Sequence, residues 1–300
     1  MALFDRMVIA TMPLVPKAMV RRVAAKYIAG ETLDDAMNVV RDLNTRGMHT
    51  TVDVLGEFVS DPQEAQRDVE TYLNLIDAIA ERKLKSGVSV KLTAIGLSIS
   101  PKLARENMKK LIDAASKHDV FVRIDMEDSP YTSETLAIYE EFRNEARIGI
   151  VVQAYLKRTA DDIKRLMEKG STNIRLCKGI YVESETIAIK DRKGIQDNFL
   201  KLLDLIFDGG ALVGIATHDR YLIEQSEHMV KARGMNSAQY EYQMLLGVLP
   251  ELRDEVVSRG HRMRVYVPFG DAWYGYSTRR LKENPALAGY VLKSLFKSGQ

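Results

Sequence analysis

Short runs rich in Val, Ile and Leu alternate with longer segments of helical periodicity along this chain, and the alternation repeats eight times from residue 51 onward. The runs are TVDVLGE (51–57), GVSVKLTAI (87–95), VFVRIDME (120–127), IGIVVQAY (148–155), NIRLCKG (173–179), LVGIATHD (212–219), QYEYQML (239–245) and RMRVYVPFG (262–270). Near-continuous apolar runs of this length suit parallel strands covered on both faces. The helical segments between them fall near 61–83, 101–117, 133–146, 159–169, 184–208, 219–234 and 250–259. Two open on clear start signals: Asp61-Pro62-Gln63-Glu64 offers a cap, a first-turn proline and an acid, and Ser100-Pro101 repeats the first two. Eight strand–helix repeats predict a single-domain α/β fold, a (β/α)8 TIM barrel over residues 51–300. An open doubly wound sheet is the alternative, because strand count alone does not prove closure. Residues 1–50 carry two further helical patterns, 17–29 and 32–47, which predict an N-terminal helical arm.

Composition narrows the class of function. The 300 residues are 46% hydrophobic and 28% charged, and 43 basic against 41 acidic residues leave a net charge of +2. No bulk field of either sign points to nucleic acid or to an acidic tail. One cysteine, Cys177, excludes an internal disulfide and suits a reducing cytoplasm. In the first residues, MALFDRMVIATMPLVPKAM, the apolar run is short, broken by Pro13 and Pro16 and preceded by Asp5, so the segment does not read as a signal peptide. No stretch of about 18 apolar residues could span a bilayer, so the expectation is a soluble or peripheral protein.

The strands share a polarity: each begins apolar and turns polar toward its C-terminal half. The second gives Lys91, the third Asp125 and Glu127, and the fourth Gln153. Arg175 and Lys178 come from the fifth, Thr217, His218 and Asp219 from the sixth, Glu241 and Gln243 from the seventh, and Tyr266 from the eighth. One buried charge is ordinarily a structural pair, but seven strands doing this in one direction converge on the mouth where barrel enzymes place their sites. If the fifth strand stays regular, Arg175, Cys177, Gly179 and Tyr181 share one side. Gly179 there either leaves room for a flat ligand or simply ends the strand. Cys177 has no base beside it and reads as core.

Several chemistries are disfavoured. The five histidines show neither HxH nor HExxH spacing, and there is no GxSxG elbow or Walker A loop. Gly209, Gly210 and Gly214 precede a strand instead of following one, so a dinucleotide would not bind through a Rossmann turn.

From Trp273 to Asn284 the pattern reads as a helix stopped by Pro285, with Tyr276, Arg279, Arg280 and Glu283 on one face. The arginines can pair with Glu283 on a wet surface, or present a fork to a carboxylate or phosphate. RRLKENP after YVPFG, with IRLCKGIY, VVQAYLKR, IATHD and YEYQML upstream, resembles the proline dehydrogenases of the short, monofunctional bacterial type. The likeness runs from AGETLDDA and VDVLGE to the arginine helix, and the motifs are specific as a set.

The resemblance implies a distorted (β/α)8 barrel with non-covalent FAD and the last helix displaced over the mouth. It implies oxidation of L-proline to Δ1-pyrroline-5-carboxylate, electrons passing to a membrane quinone, and a cytoplasmic protein with peripheral contact at the inner face of the membrane. Carried over residue by residue, Lys91, Arg279 and Arg280 hold the substrate carboxylate, Tyr266 and Tyr276 wall its ring, Leu245 lies near it, and Tyr181 is counted with the substrate-binding residues. Asp125 borders the site and can bond Tyr181, and Arg175 reaches toward the flavin. Met126, Gln153, Lys178, Gly179, Ile180, Thr217 and His218 match cofactor-contacting positions; Glu283, counted with them, would pair with an arginine of the fork. Two positions depart from some relatives: Val182 stands where they have Trp, and Asp219 where they carry Asn. Two rival readings fit the bare residues, a Schiff-base lyase using Lys91 and a non-catalytic barrel that senses a small amino acid.

Overall fold

The computed structural model describes residues 25–170 and 172–274, and the arginine helix with Tyr276, Arg279, Arg280 and Glu283 lies outside the described residues. Eight strands form one closed, all-parallel barrel in chain order: β1 (His49–Val54), β2 (Ser86–Val90), β3 (Phe121–Ile124), β4 (Ile148–Gln153), β5 (Asn173–Cys177), β6 (Leu212–Ala216), β7 (Tyr240–Leu245) and β8 (Met263–Phe269). Closure is direct, since β1 pairs along its length with β8 from His49↔Arg264 to Val54↔Phe269. The open-sheet alternative is thereby removed.

Helices cover the barrel: α1 (Leu33–Thr45), α2 (Pro62–Glu81), α3 (Pro101–Lys117), α4 (Ser129–Phe142), α5 (Thr159–Glu168), α6 (Arg192–Asp208), α7 (Arg220–Ala232) and α8 (Pro250–Ser258). The expected caps are in place. Asp61 accepts from Gln63 N at 2.9 Å ahead of Pro62, and the Ser100 hydroxyl accepts from Leu103 N at 3.1 Å ahead of Pro101. Such caps satisfy amide donors that the first helical turn leaves without partners.

Helix α1, from the expected arm, packs against β8 and β1 and buries Ala36, Met37, Val40 and Leu43 in the main core. It takes the slot between the last and first strands, where a regular barrel would seat the helix following β8. Ala29 N donates to Pro268 O at 2.8 Å and Gly270 N to Gly30 O at 3.1 Å, tying the lead-in to the end of β8.

Two helix starts differ from expectation. The 184–208 segment becomes helical only at Arg192, after the cap Asp191. Residues before it lie as a strap, with Lys157 N donating to Ile187 O and Ile189 N to Tyr155 O, so its β-type residues find partners in the loop after β4. Helix α4 begins earlier, at Ser129, because Glu183 of the strap caps it from outside, accepting from Ser129 N at 2.7 Å and Ser129 Oγ at 2.6 Å.

Strand alternation sorts the side chains sharply. Val52, Val88, Val90, Val122, Ile124, Ile150, Ile174, Leu176, Val213, Ile215, Val265 and Val267 face the helices and are fully or almost fully buried. Each such side chain contributes about 1.5–3 kcal/mol by leaving water. The opposite parity lines the barrel interior, and it is polar: Asp53, Ser89 and Arg123 are register neighbours across β1–β3, as are Gln243 and Arg264 on β7 and β8. The aliphatic runs thus hold up the outside of the barrel, while the polar residues set among them fill its centre.

Candidate active site at the barrel mouth

At the C-terminal ends of β2 to β8 the interior opens into a cavity of about 330 Å³, within the range of small-molecule sites. Of the residues expected at the mouth, Lys91, Asp125, Met126, Gln153, Arg175, Lys178, Gly179, Ile180, Tyr181, Thr217, His218, Gln243, Leu245 and Tyr266 line it, whereas Glu127, Asp219 and Glu241 do not. Seven strand ends separated by up to 175 positions in sequence, from Lys91 to Tyr266, therefore meet in one place.

One wall is a continuous ionic and hydrogen-bonded net. Lys91 Nζ sits 2.6 Å from Asp53 Oδ1 and 3.4 Å from the Tyr266 hydroxyl. That hydroxyl donates to Asp125 Oδ2 at 2.8 Å. Asp125 Oδ1 accepts from Arg175 Nη1 at 2.8 Å and Ser89 Oγ at 2.6 Å. Arg175 is held further by Gln243, whose Oε1 accepts from Nε at 2.5 Å, and its guanidinium carbon lies 5.3 Å from the centre of the Tyr266 ring. Asp125 thus accepts from two hydroxyls, those of Tyr266 and Ser89. Asp53 and Ser89 escaped the sequence reading, and the usable signal was a polar residue inside an apolar alternation, TVDV and GVSV.

Burial acts to lower the Lys91 ammonium, but Asp53 and Asp125 outweigh it and hold the pKa above the usual lysine value. Burial pushes Asp53 up, aided by Asp125 and opposed by Lys91. Lys91 is therefore a fixed cation and not the neutral amine that Schiff-base chemistry needs. Burial raises the Cys177 thiol to about 11, and its Sγ rests 3.6 Å from Val152 O, so it stays protonated and packed.

The opposite wall carries the other candidates. Gln153 donates from Nε2 to Glu127 O at 2.7 Å, while its buried Oε1 has no partner among the described residues. His218 Nε2 accepts from Leu245 N at 3.0 Å, which fixes the tautomer with the proton on Nδ1. Lys178 Nζ lies 3.4 Å from Asp219 Oδ2, which also accepts from Gln196 at 2.9 Å. Burial acts to raise Asp219, yet the Gln196 bond and Lys178 bring it below the usual carboxylate range. The acid at this position is thus a charge partner for Lys178. Val182, the other departure, is fully exposed.

The regular alternation expected for Arg175, Cys177, Gly179 and Tyr181 does not hold. β5 ends at Cys177, and Gly179 takes a positive φ of 106° that only glycine adopts freely. A Cβ there would stand 2.2 Å from the Tyr155 ring. The glycine makes room for Tyr155 behind the loop, and by turning the chain it still delivers Ile180 and Tyr181 to the cavity.

Fold and site together define a (β/α)8-barrel protein with a charged, ligand-sized pocket at the C-terminal mouth. A family model described as proline dehydrogenase matches residues 36–292. Proline dehydrogenase 1 of Bacillus subtilis (strain 168) is 40% identical over 275 residues, 91% of this chain and 91% of that protein. The proline dehydrogenase of Deinococcus radiodurans is 31% identical over 280 residues, 91% of this chain and 90% of that one. This chain belongs to the proline dehydrogenase family. Among solved structures, proline utilization A from Bdellovibrio bacteriovorus inactivated by N-propargylglycine superposes with a TM-score of 0.82 at 26% identity over 88% of this chain, which spans 33% of that longer one.

Proposed function

We propose that the protein oxidises L-proline to Δ1-pyrroline-5-carboxylate with non-covalently bound FAD, passing the electrons to a membrane quinone from a cytoplasmic, peripheral position. The observation that carries the reading is the Lys91–Asp53–Tyr266–Asp125–Arg175 net, which fixes two cations beside one open pocket in a member of this family.

The residues present fit a flavin. Gln153 brings a buried amide oxygen in want of a donor, Lys178 and His218 bring polar groups, and Met126, Val151, Ala216, Met244 and Leu245 give the same cavity apolar surface for a flat ring. Met126, Gln153, Arg175, Lys178, Gly179, Ile180, Thr217 and His218 would hold it, with Glu283 of the final segment. When bound, the flavin supplies the hydride acceptor.

The protein's own groups supply binding and orientation. Lys91, with Arg279 and Arg280, grips the carboxylate, and Tyr266, Tyr276, Tyr181 and Leu245 confine the ring, so that the carbon next to nitrogen is presented in one orientation. Asp125 holds Arg175 and Tyr266 in place by a bond to each. The fixed Arg175 guanidinium stabilises negative charge that develops during the transfer, and being already held it needs no reorganisation. No helix among the described residues is long and apolar enough to cross a membrane, and a peripheral attachment would have to use the surface.

Anaerobic addition of L-proline to the purified protein tests the reading. The visible flavin bands should bleach, with one pyrroline formed per flavin reduced. A colourless protein, or flavin indifferent to L-proline, would overturn it.

A further inference from the structure

Below the cavity lies a second set of polar side chains that the proposed chemistry does not use. Arg264 grips Glu241 from two nitrogens, Nε to Oε1 and Nη2 to Oε2 at 3.1 Å, and its Nη1 donates to Thr50 O at 2.8 Å. Arg262 Nε stands 3.3 Å from Glu241 Oε2. Glu241 Oε1 also accepts from Gln243 Nε2 at 2.7 Å. Burial acts to raise Glu241, but Arg264 and Arg262 bring it down to about 2, so it is an anion at any working pH.

An ionised carboxylate can only accept. Gln243 must therefore turn its NH2 group down toward Glu241, which leaves its carbonyl oxygen pointing at Arg175 Nε. Space enforces the same arrangement: a Cβ on Gly214 would stand 2.3 Å from Gln243 Nε2, so only glycine at that position lets the amide lie there. Arg175 is then fixed at two points, Nε by Gln243 and Nη1 by Asp125, and two points fix the plane of a guanidinium.

We propose that Gln243, oriented by the Glu241–Arg264 pair beneath it, is the positioning residue that sets the plane of Arg175 at the cavity. The inference rests on the proposed function only in what Arg175 then does. The chain runs one way, from Arg264 through Glu241 and Gln243 to Arg175, and it couples the sealed layer of the barrel to the open one. Loss of Gln243 frees Arg175 to rotate about its bond to Asp125, which affects the reacting centre and leaves the carboxylate grip of Lys91 in place.

A double-mutant cycle tests this, using the flavin-loaded protein and L-proline with an artificial electron-accepting dye. Gln243→Leu should lower kcat by about 10- to 100-fold with KM within about threefold. In an Arg175→Met background the same change should cost about twofold or less. Glu241→Gln, which keeps shape but lets the Gln243 amide flip, should reproduce most of the Gln243→Leu loss, and it serves if the leucine variant folds poorly. Urea unfolding of the same variants gives a second cycle that needs no activity, and it should show the two losses to be non-additive. Additive losses in both cycles, or a Gln243→Leu effect confined to KM, would overturn the proposal. A wild-type protein that does not oxidise L-proline would instead count against the proposed function, with the unfolding cycle still deciding the coupling.

Discussion

Arg123 and Arg175 lie inside the same barrel, two strands apart, and are used in opposite ways. Arg123 is 1% exposed and, among the described residues, bonds to amide groups: Nη1 donates to Ile150 O at 2.9 Å and Asn173 O at 2.8 Å, and Nη2 to Asn173 Oδ1 at 2.5 Å. Its guanidinium also sits 4.9 Å from the centre of the Phe121 ring. Burial and then Arg175 push its pKa well down from the usual value, and the carbonyls around it supply the compensating partial charges. Arg175 bonds instead to a carboxylate, a hydroxyl and an amide, and it borders open space. One arginine is a buried strut tied to two backbone carbonyls and a side-chain amide, and the other is held from behind at the edge of the cavity. Residue type does not separate them; depth in the barrel and the chemistry of the partners do.

The comparison can be broken by five measurements. The largest effect should follow Arg175→Met, which should lower kcat for proline oxidation about a hundredfold or more, since the proposed site would lose a fixed charge. Steady-state kinetics decide this. Arg279→Met or Arg280→Met should raise KM for proline by about 10- to 100-fold, the worth of one charge-assisted bond to a carboxylate, and should change kcat less. Unchanged proline kinetics in both would remove the fork from the site.

Arg123→Met should do the reverse of Arg175→Met. Two backbone carbonyls would lose their buried donor, so urea unfolding should report a loss of about 3 kcal/mol or more with kcat/KM within about threefold of wild type. Gly149→Ala attacks the same strut sterically, because its Cβ would stand 2.4 Å from Arg123 Nη1 and 2.7 Å from Asn173 O. Overpacking of this kind should cost about 1–3 kcal/mol in the same assay.

The smallest effect is a slope with pH. Burial raises Glu127 from 4.5 to about 7, against the Thr93 bonds that oppose the shift, and burial with Glu64 and Asp271 raises Asp68 from 3.8 to about 7. In that window the folded state binds more protons than the unfolded one, so stability is full below about pH 4 and declines as pH rises toward 7. Glu127→Gln, which mimics the protonated acid, should flatten the fall in Tm between pH 5 and 7. An unchanged slope would mean that Glu127 is ionised throughout.

Much of this was legible in the chain. The aliphatic parity of each strand and the Asp61 and Ser100 caps are local signals, and all eight strands formed where those signals lie, as did the expected covering helices except at the starts of α4 and α6. The convergence of Lys91, Asp125, Arg175 and Tyr266 followed from strand polarity once the barrel closed. What the sequence withheld was non-local. That Glu183 would cap α4, that Gly179 yields to Tyr155, and that α1 fills the gap between β8 and β1 each depend on residues far apart in the chain. Asp53 and Ser89 were hidden for another reason: one polar residue in an apolar alternation does not show which partner satisfies it.

Anaerobic reduction by L-proline of three flavin-loaded proteins, wild type, Arg175→Met and Arg123→Met, tests the account most directly. L-proline should bleach wild type and Arg123→Met at similar rates and Arg175→Met about a hundredfold or more slowly, whatever the order of their melting temperatures. Equal rates in the two variants, or rates that follow stability alone, would contradict it.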